Sequence, residues 1–266
     1  MQPPDPPTGP GAALALRAPT APPRDDDVVR AVPVGASPPD PLVLVMLGET
    51  GAGAPAALRV LRHRLEVRRA EGIWTIGVTS ARDGEGKSTL AAQLALVLSE
   101  AQRARVLLVE ASLERPALAR LLGLRVPAGL GFSVQIAGRM RGASDPWAVL
   151  ALGPALHVLV ESEAEPGFPG SLYATPFRQA LGRLGPAYDW VIVDAPSVLG
   201  SGDANVVEEV VDGMIMVTRS RRSRATDLRA AMKQLGARKA IGAVLWDSTD
   251  GVRAARRVPV GAEGRP

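Results

Sequence analysis

Six short apolar runs, at residues 73–79, 105–110, 156–160, 190–194, 214–218 and 241–245, alternate with segments of helical period. That alternation is the pattern of repeated βαβ units, in which consecutive strands pair in parallel and helices cover both faces. It predicts an α/β fold with a mainly parallel sheet in three layers, α/β/α. The helical segments fall at 87–102, 116–122, 176–184, 204–211 and 225–235. A further helix at 55–69 precedes the first of these strands, with Leu58, Leu61 and Leu65 on one edge and arginines on several other positions. No internal repeat is visible.

The chain's 266 residues allow one large domain with tails or two small ones. Residues 1–40 are crowded with proline and lack either period, so they read as a disordered N-terminal segment. Residues 41–247 form the folded domain, and 248–266, basic and aperiodic, read as a flexible tail. The absence of cysteine excludes disulfides, thiolate metal sites and cysteine nucleophiles. Two histidines, His63 and His157, leave no multi-histidine metal site and disfavour a Ser-His-Asp triad. No apolar stretch reaches a membrane span, and the N-terminus lacks the basic start of a secretory signal.

The net charge of +4 is uneven, since residues 217–266 hold 12 Lys+Arg against 4 Asp+Glu. That end is either a solvated arginine-rich surface or a contact for phosphates, anionic lipid or an acidic partner. Only Lys87, Lys233 and Lys239 among the 31 cations are lysine.

The run ending at Ser80 is followed by Ala81-Arg82-Asp83-Gly84-Glu85-Gly86-Lys87-Ser88-Thr89 and then by the helical segment LAAQLALVLSEA. Strand, glycine loop and helix in that order bring free backbone N–H groups together on an anion, and the glycines allow close approach. Lys87 is expected to neutralise nucleotide phosphates and Ser88 to hold Mg²⁺. Asp83, Gly84, Glu85, Gly86, Lys87, Ser88 and Thr89 are therefore the candidate cofactor-binding residues. Ala81 stands where the motif ordinarily begins with glycine, and a plain glycine turn capped by Ser88 and Thr89 is the alternative. A lysine kept in a chain that otherwise writes arginine favours the phosphate reading.

A carboxylate station is expected at the end of a neighbouring strand. Asp194, closing the run Trp190-Val191-Ile192-Val193, is the candidate second Mg²⁺ holder, with a helix cap as the alternative. Glu110, closing Val106-Leu107-Leu108-Val109, is the other candidate acid, with a solvated strand end as its alternative.

Together these residues resemble the bacterial tyrosine kinases of capsule and exopolysaccharide synthesis, which are P-loop autokinases. TSARDGEGKST from Thr79 to Thr89, LLVEASLERP from Leu107 to Pro116, GFSVQIAG from Gly131 to Gly138, YDWVIVDAPSVLGSGDA from Tyr188 to Ala204 and VDGMIMVTR from Val211 to Arg219 carry the resemblance. It implies a P-loop NTPase-type domain that uses ATP and Mg²⁺. Lys87, Glu110 and Asp194 would be its catalytic residues, with Ser88 and Asp194 on the metal. It also implies a cytoplasmic protein held at the inner face of the membrane by a chain-length (co-polymerase) partner, with self-association and no specific nucleic acid.

The chain departs from the family's pattern at several places. Glu110 and Ser112 stand where the family has two aspartates, so one acid is lengthened and the other discharged. The only tyrosines, Tyr173 and Tyr188, lie inside the folded region, leaving no acceptor tail. Ala56 replaces the acid of a ring-forming motif whose arginines, Arg59 and Arg62, remain. Trp246 replaces an asparagine near the nucleotide base, and either stacks on adenine or covers the core. Arg82 occupies the place where related partition ATPases reach a dimer partner's nucleotide, and is either such a residue or a plain exposed arginine. Three functions follow: an ATP-dependent kinase-like component of polysaccharide synthesis or export, a degenerate nucleotide-dependent switch, and a partition-type ATPase.

Overall fold

Strand β2 (Thr75–Ser80) sits near the middle of a nine-stranded sheet with order β1-β4-β5-β3-β6-β2-β7-β8-β9. The other strands are β1 (Val29–Pro33), β3 (Val106–Glu110), β4 (Trp147–Ala151), β5 (Leu156–Leu159), β6 (Trp190–Asp194), β7 (Gly213–Arg219), β8 (Ala240–Asp247) and β9 (Gly251–Ala254). Neighbours run parallel except β4 with β5 and β8 with β9. The computed structural model describes residues 28–34, 53–102, 104–162, 172–236, 239–247 and 251–254.

The helices are α1 (Gly53–Arg69), α2 (Lys87–Ser99), α3 (Leu118–Leu121), α4 (Phe132–Met140), α5 (Ala174–Leu184), α6 (Asp203–Val210) and α7 (Ala225–Leu235). Alternate strand residues enter opposite cores. Val106, Leu108, Trp190 and Ile192 pack with α1, α2 and α3, while Leu107, Val109, Val191 and Val193 pack with α4 to α7. Because both faces are covered, the central strands are apolar at nearly every position, which explains the continuous runs in the sequence. Helix α2 is buried almost all round, wedged between the sheet and α1. The sheet, its parallel core and its two helical layers are the three-layer P-loop NTPase-type fold expected.

Four described elements fall where no element was expected: helix α4 and strand β4 between the expected segments, and strands β1 and β9 at the two edges. Residues 29–33, read as part of the aperiodic N-terminal segment, form edge strand β1 in parallel register with β4, from Val29↔Trp147 to Pro33↔Ala151. Its pairing comes from β4, whose Trp147 N–H donates to the Val28 carbonyl at 2.7 Å, and Pro33 is tolerated at the last position of an edge. Strand β9 extends the other edge by pairing antiparallel with β8, inside the stretch read as tail. Residues 1–27, 35–40, 248–250 and 255–266 lie outside the described residues.

Candidate nucleotide-binding site

The turn between β2 and α2 is shaped by two left-handed glycines, Gly84 at φ 81° and Gly86 at φ 99°. Around Gly84 there is open space, so what the turn requires is the backbone conformation that only glycine adopts readily. No side chain caps the N-terminus of α2, and its first-turn N–H groups are left for an anion.

The loop is braced from several sides. Thr79 Oγ1 donates to the Pro196 carbonyl at 2.6 Å, and the Val198 N–H donates to the Ser80 carbonyl at 2.9 Å. Glu85, buried, accepts the Arg82 N–H at 3.0 Å and closes the turn on itself. Asp83 pairs with Arg115 at 3.1 Å. Both acids are thus engaged with neighbouring groups, while the backbone N–H groups, Lys87 and Ser88 are those the sequence expectation directs at an anion and a metal. Thr89 is half-buried in the first turn of α2.

Lys87 is 7% exposed and its Nζ lies 3.4 Å from Ser88 Oγ. In the next strand, Asp194 pairs in register with Val78 of β2. Its carboxylate is fully buried and neither oxygen has a partner at full hydrogen-bond geometry, the Ser88 hydroxyl being the donor that stands near it. Burial pushes the Asp194 carboxyl above its ordinary range, against the pull of the Lys87 charge and the Ser88 hydroxyl. An orphaned buried carboxylate beside a lysine and a serine, under a ring of backbone donors, fits a nucleotide phosphate with Mg²⁺. Such a metal is held by one or two carboxylates plus phosphate oxygens and water. Among the described residues no cluster of three or more His, Asp or Glu could hold a metal by protein ligands alone.

Glu110 is placed differently from a metal-facing acid. It lies across from Asp194 in register, yet its Oε1 accepts the N–H groups of Ala117 and Leu118, and its Oε2 accepts the Glu161 N–H at 3.0 Å. Burial, with Asp194 adding to it, lifts the Glu110 carboxyl to about 7 despite those three donors. Glu161 repeats the device one strand away, accepting the Ser133 N–H at 2.9 Å and the Ser133 hydroxyl at 2.8 Å. The strand-end glutamates therefore pin the starts of α3 and α4.

A cleft opens beside the loop, lined by Asp83, Ser112, Arg115, Ser197, Ser201 and Asp203. Asp203 is held by the Leu172 N–H at 2.8 Å, and burial raises its carboxyl. Of the two tyrosines, Tyr188 is buried with its hydroxyl 2.9 Å from His157 Nδ1, and Tyr173 is 45% exposed. Arg82 has a partner in its own chain: Asp227 of α7 lies 2.8 Å away, 145 residues on. Arg59 and Arg62 likewise both pair with Glu100. The indole of Trp246 stands against Gly86 and packs on the α2 side of the core. Sequence reasoning did not single out Arg219, which donates to the Gly84 carbonyl at 3.4 Å.

A Bacillus subtilis protein named tyrosine-protein kinase YwqD is 30% identical over 191 residues, 70% of this chain and 78% of that one. The chain belongs to the bacterial tyrosine kinase family. The kinase domain of the Escherichia coli tyrosine kinase ETK superposes with TM-score 0.62 at 24% identity, over 85% of this chain and 87% of that domain. The BceF tyrosine kinase domain gives 0.54 at 25%, over 71% and 75%. No protein-family model matches the chain. In this chain the strand-end acid of β3 is a glutamate turned toward backbone donors. No described helix is long and apolar enough to cross a membrane.

Proposed function

We propose that this chain is an ATP- and Mg²⁺-binding, tyrosine-kinase-like protein of polysaccharide synthesis or export, acting at the inner face of the membrane through a chain-length partner. The observation that carries the nucleotide part is Asp194: a fully buried carboxylate that no backbone N–H satisfies, with Lys87 and the Ser88 hydroxyl beside it. Bound Mg²⁺ would supply charge neutralisation for the phosphates, with Ser88 and Asp194 as its protein holders. Lys87 and the N–H groups at the start of α2 orient the phosphates, and Gly84 and Gly86 let the backbone approach them.

A second reading, a nucleotide-dependent switch that transfers little phosphate, is favoured by two placements. The Glu110 carboxylate is taken by three backbone donors, and Ser112, at the cleft, carries no charge. Neither is then available as a carboxylate for an incoming hydroxyl, and phosphoryl transfer depends on positioning.

Purified protein incubated with γ-labelled ATP and Mg²⁺, with and without the cytoplasmic part of the membrane partner, separates the readings. Label on tyrosine supports the kinase. Tight binding without label supports the switch. Absence of binding in the wild type, or binding unchanged in Lys87→Ala, overturns both.

A further inference from the structure

Of the two left-handed glycines of the loop, Gly84 is bonded by one member of a cross-strand pair and Gly86 is flanked by the other. Arg219 and Trp246 are register partners at the ends of β7 and β8, and the Ser220 N–H donates to the Trp246 carbonyl at 2.8 Å just beyond them. Arg219 Nη1 reaches the Gly84 carbonyl at 3.4 Å, and the Trp246 ring lies against Gly86. Parallel register puts both side chains on one face of the sheet, and Ile215, Val217 and Val244, which share that face, pack against α2. They therefore stand on the loop's flank opposite Asp194, since β7 and β6 border β2 on its two sides.

The backbone of Arg219 is fixed. Its N–H donates to Ser223 Oγ at 2.7 Å and its carbonyl accepts the Ser223 N–H at 2.9 Å, which fixes the base of the turn leading to α7. Arg221 in that turn adopts φ 61°, a left-handed conformation seldom taken by a residue with a side chain. The ion pairs among the described residues include Arg82 with Asp227 and Arg115 with Asp83 around this loop, and none for Arg219. Its guanidinium meets a carbonyl at a long distance, and a phosphate oxygen is a much stronger acceptor for the same donors.

We propose that Arg219 is a second cation for the bound polyphosphate, opposite Lys87, seated by its cross-strand partner Trp246. The ligand class is a nucleoside di- or triphosphate. This inference rests on the nucleotide-binding reading above and adds a residue to it.

The test is calorimetric titration of the full chain with ATP, ADP and AMP in magnesium buffer, for wild type, Arg219→Gln, Arg219→Lys and Lys87→Ala. Gln keeps a donor for the Gly84 carbonyl and loses the charge; Lys keeps the charge and loses the planar fork. The inference predicts that Arg219→Gln weakens ATP and ADP on the order of tenfold and AMP much less, that Arg219→Lys recovers most of the loss, and that the wild-type salt dependence of ATP binding flattens in Arg219→Gln. Arg219→Gln binding like wild type while Arg219→Lys is impaired would make Arg219 a loop strut and overturn the inference alone. Equal losses for all three nucleotides would overturn it too. A wild type that takes up none of them overturns the nucleotide-binding reading together with this one.

Discussion

Glu110 and Asp194 face each other across neighbouring strands, both with no exposed surface, and are supplied unequally: three backbone N–H groups go to Glu110 and none to Asp194, which has only the Ser88 hydroxyl and the Lys87 charge beside it. A buried carboxylate is costly unless hydrogen-bonded or paired, so the two acids cannot be doing the same job. Glu110 is satisfied by the fold. Asp194, on the reading proposed above, is satisfied by the magnesium and phosphate it would face.

If Asp194 serves the metal, its replacement must erase the magnesium dependence of ligand stabilisation. Wild type at a hundredfold excess of ATP over its dissociation constant gains about 2.7 kcal/mol, most of it lost when magnesium is chelated. Asp194→Asn should show the same small nucleotide-induced shift in melting temperature with and without magnesium. A magnesium-dependent shift equal to wild type would remove Asp194 from the metal site.

Glu110 gives the fold a pH dependence of defined sign. Its carboxyl lies at about 7 in the folded protein against 4.5 ordinarily, so between those values the folded chain holds a proton that the unfolded chain has released. Its contribution to stability is greatest below the unfolded value and is lost as pH rises toward 7, by at most about 1.4 kcal/mol per pH unit. Denaturant titrations in metal-free buffer should show this slope in wild type and lose it in Glu110→Ala. That variant should also be less stable throughout, by about 1–3 kcal/mol for each N–H left unsatisfied. An unchanged slope would assign it to other groups.

Ser112 is the place where activity should rise on substitution. It lines the cleft with Asp203 and Arg115, next to the loop. Ser112→Asp restores the negative charge of the family pattern without disturbing the Glu110 contacts. Tyrosine labelling of an added acidic tyrosine peptide should increase on the order of tenfold or more, measured as initial rate at saturating ATP. No increase, with nucleotide binding intact, would mean that Ser112 does not limit transfer.

Arg82 should matter little. Its guanidinium is committed to Asp227 on the protein surface, and exposed pairs of this kind contribute weakly. Arg82→Ala is expected to leave the melting temperature, nucleotide affinity and sedimentation behaviour as in wild type. Loss of self-association in the variant would instead place Arg82 between two copies.

The fold was legible wherever burial on both faces made a strand continuously apolar. The run 190–194 matches β6 and the segment 225–235 matches α7 to the residue. Strand β4 was not anticipated because its five residues follow an Asp-Pro step and turn straight back into β5, a local signal weaker than the pairing that defines it. Strand β1 depends wholly on β4 and shares that obscurity.

At the site, the scarcity of lysine marked Lys87, but it marked Lys239 as well, which donates to the carbonyls of Glu208 and Glu209 at the end of α6. A compact cation is thus flagged by sequence while its task is not. Which way the Glu110 carboxylate turns is set by where α3 begins and where β5 ends. No spacing in the sequence carries that information. The Arg219 contact with Gly84 spans 135 residues and is equally silent at that level.

The most direct measurement of the central claim is calorimetric titration of the full chain with ATP in magnesium buffer, beside Lys87→Ala of equal thermal stability. The account predicts saturable one-to-one binding by the wild type and at least a hundredfold weaker binding by the variant, roughly 2.7 kcal/mol. Equal affinity in the two proteins, or no heat of binding from a folded wild type, would contradict it.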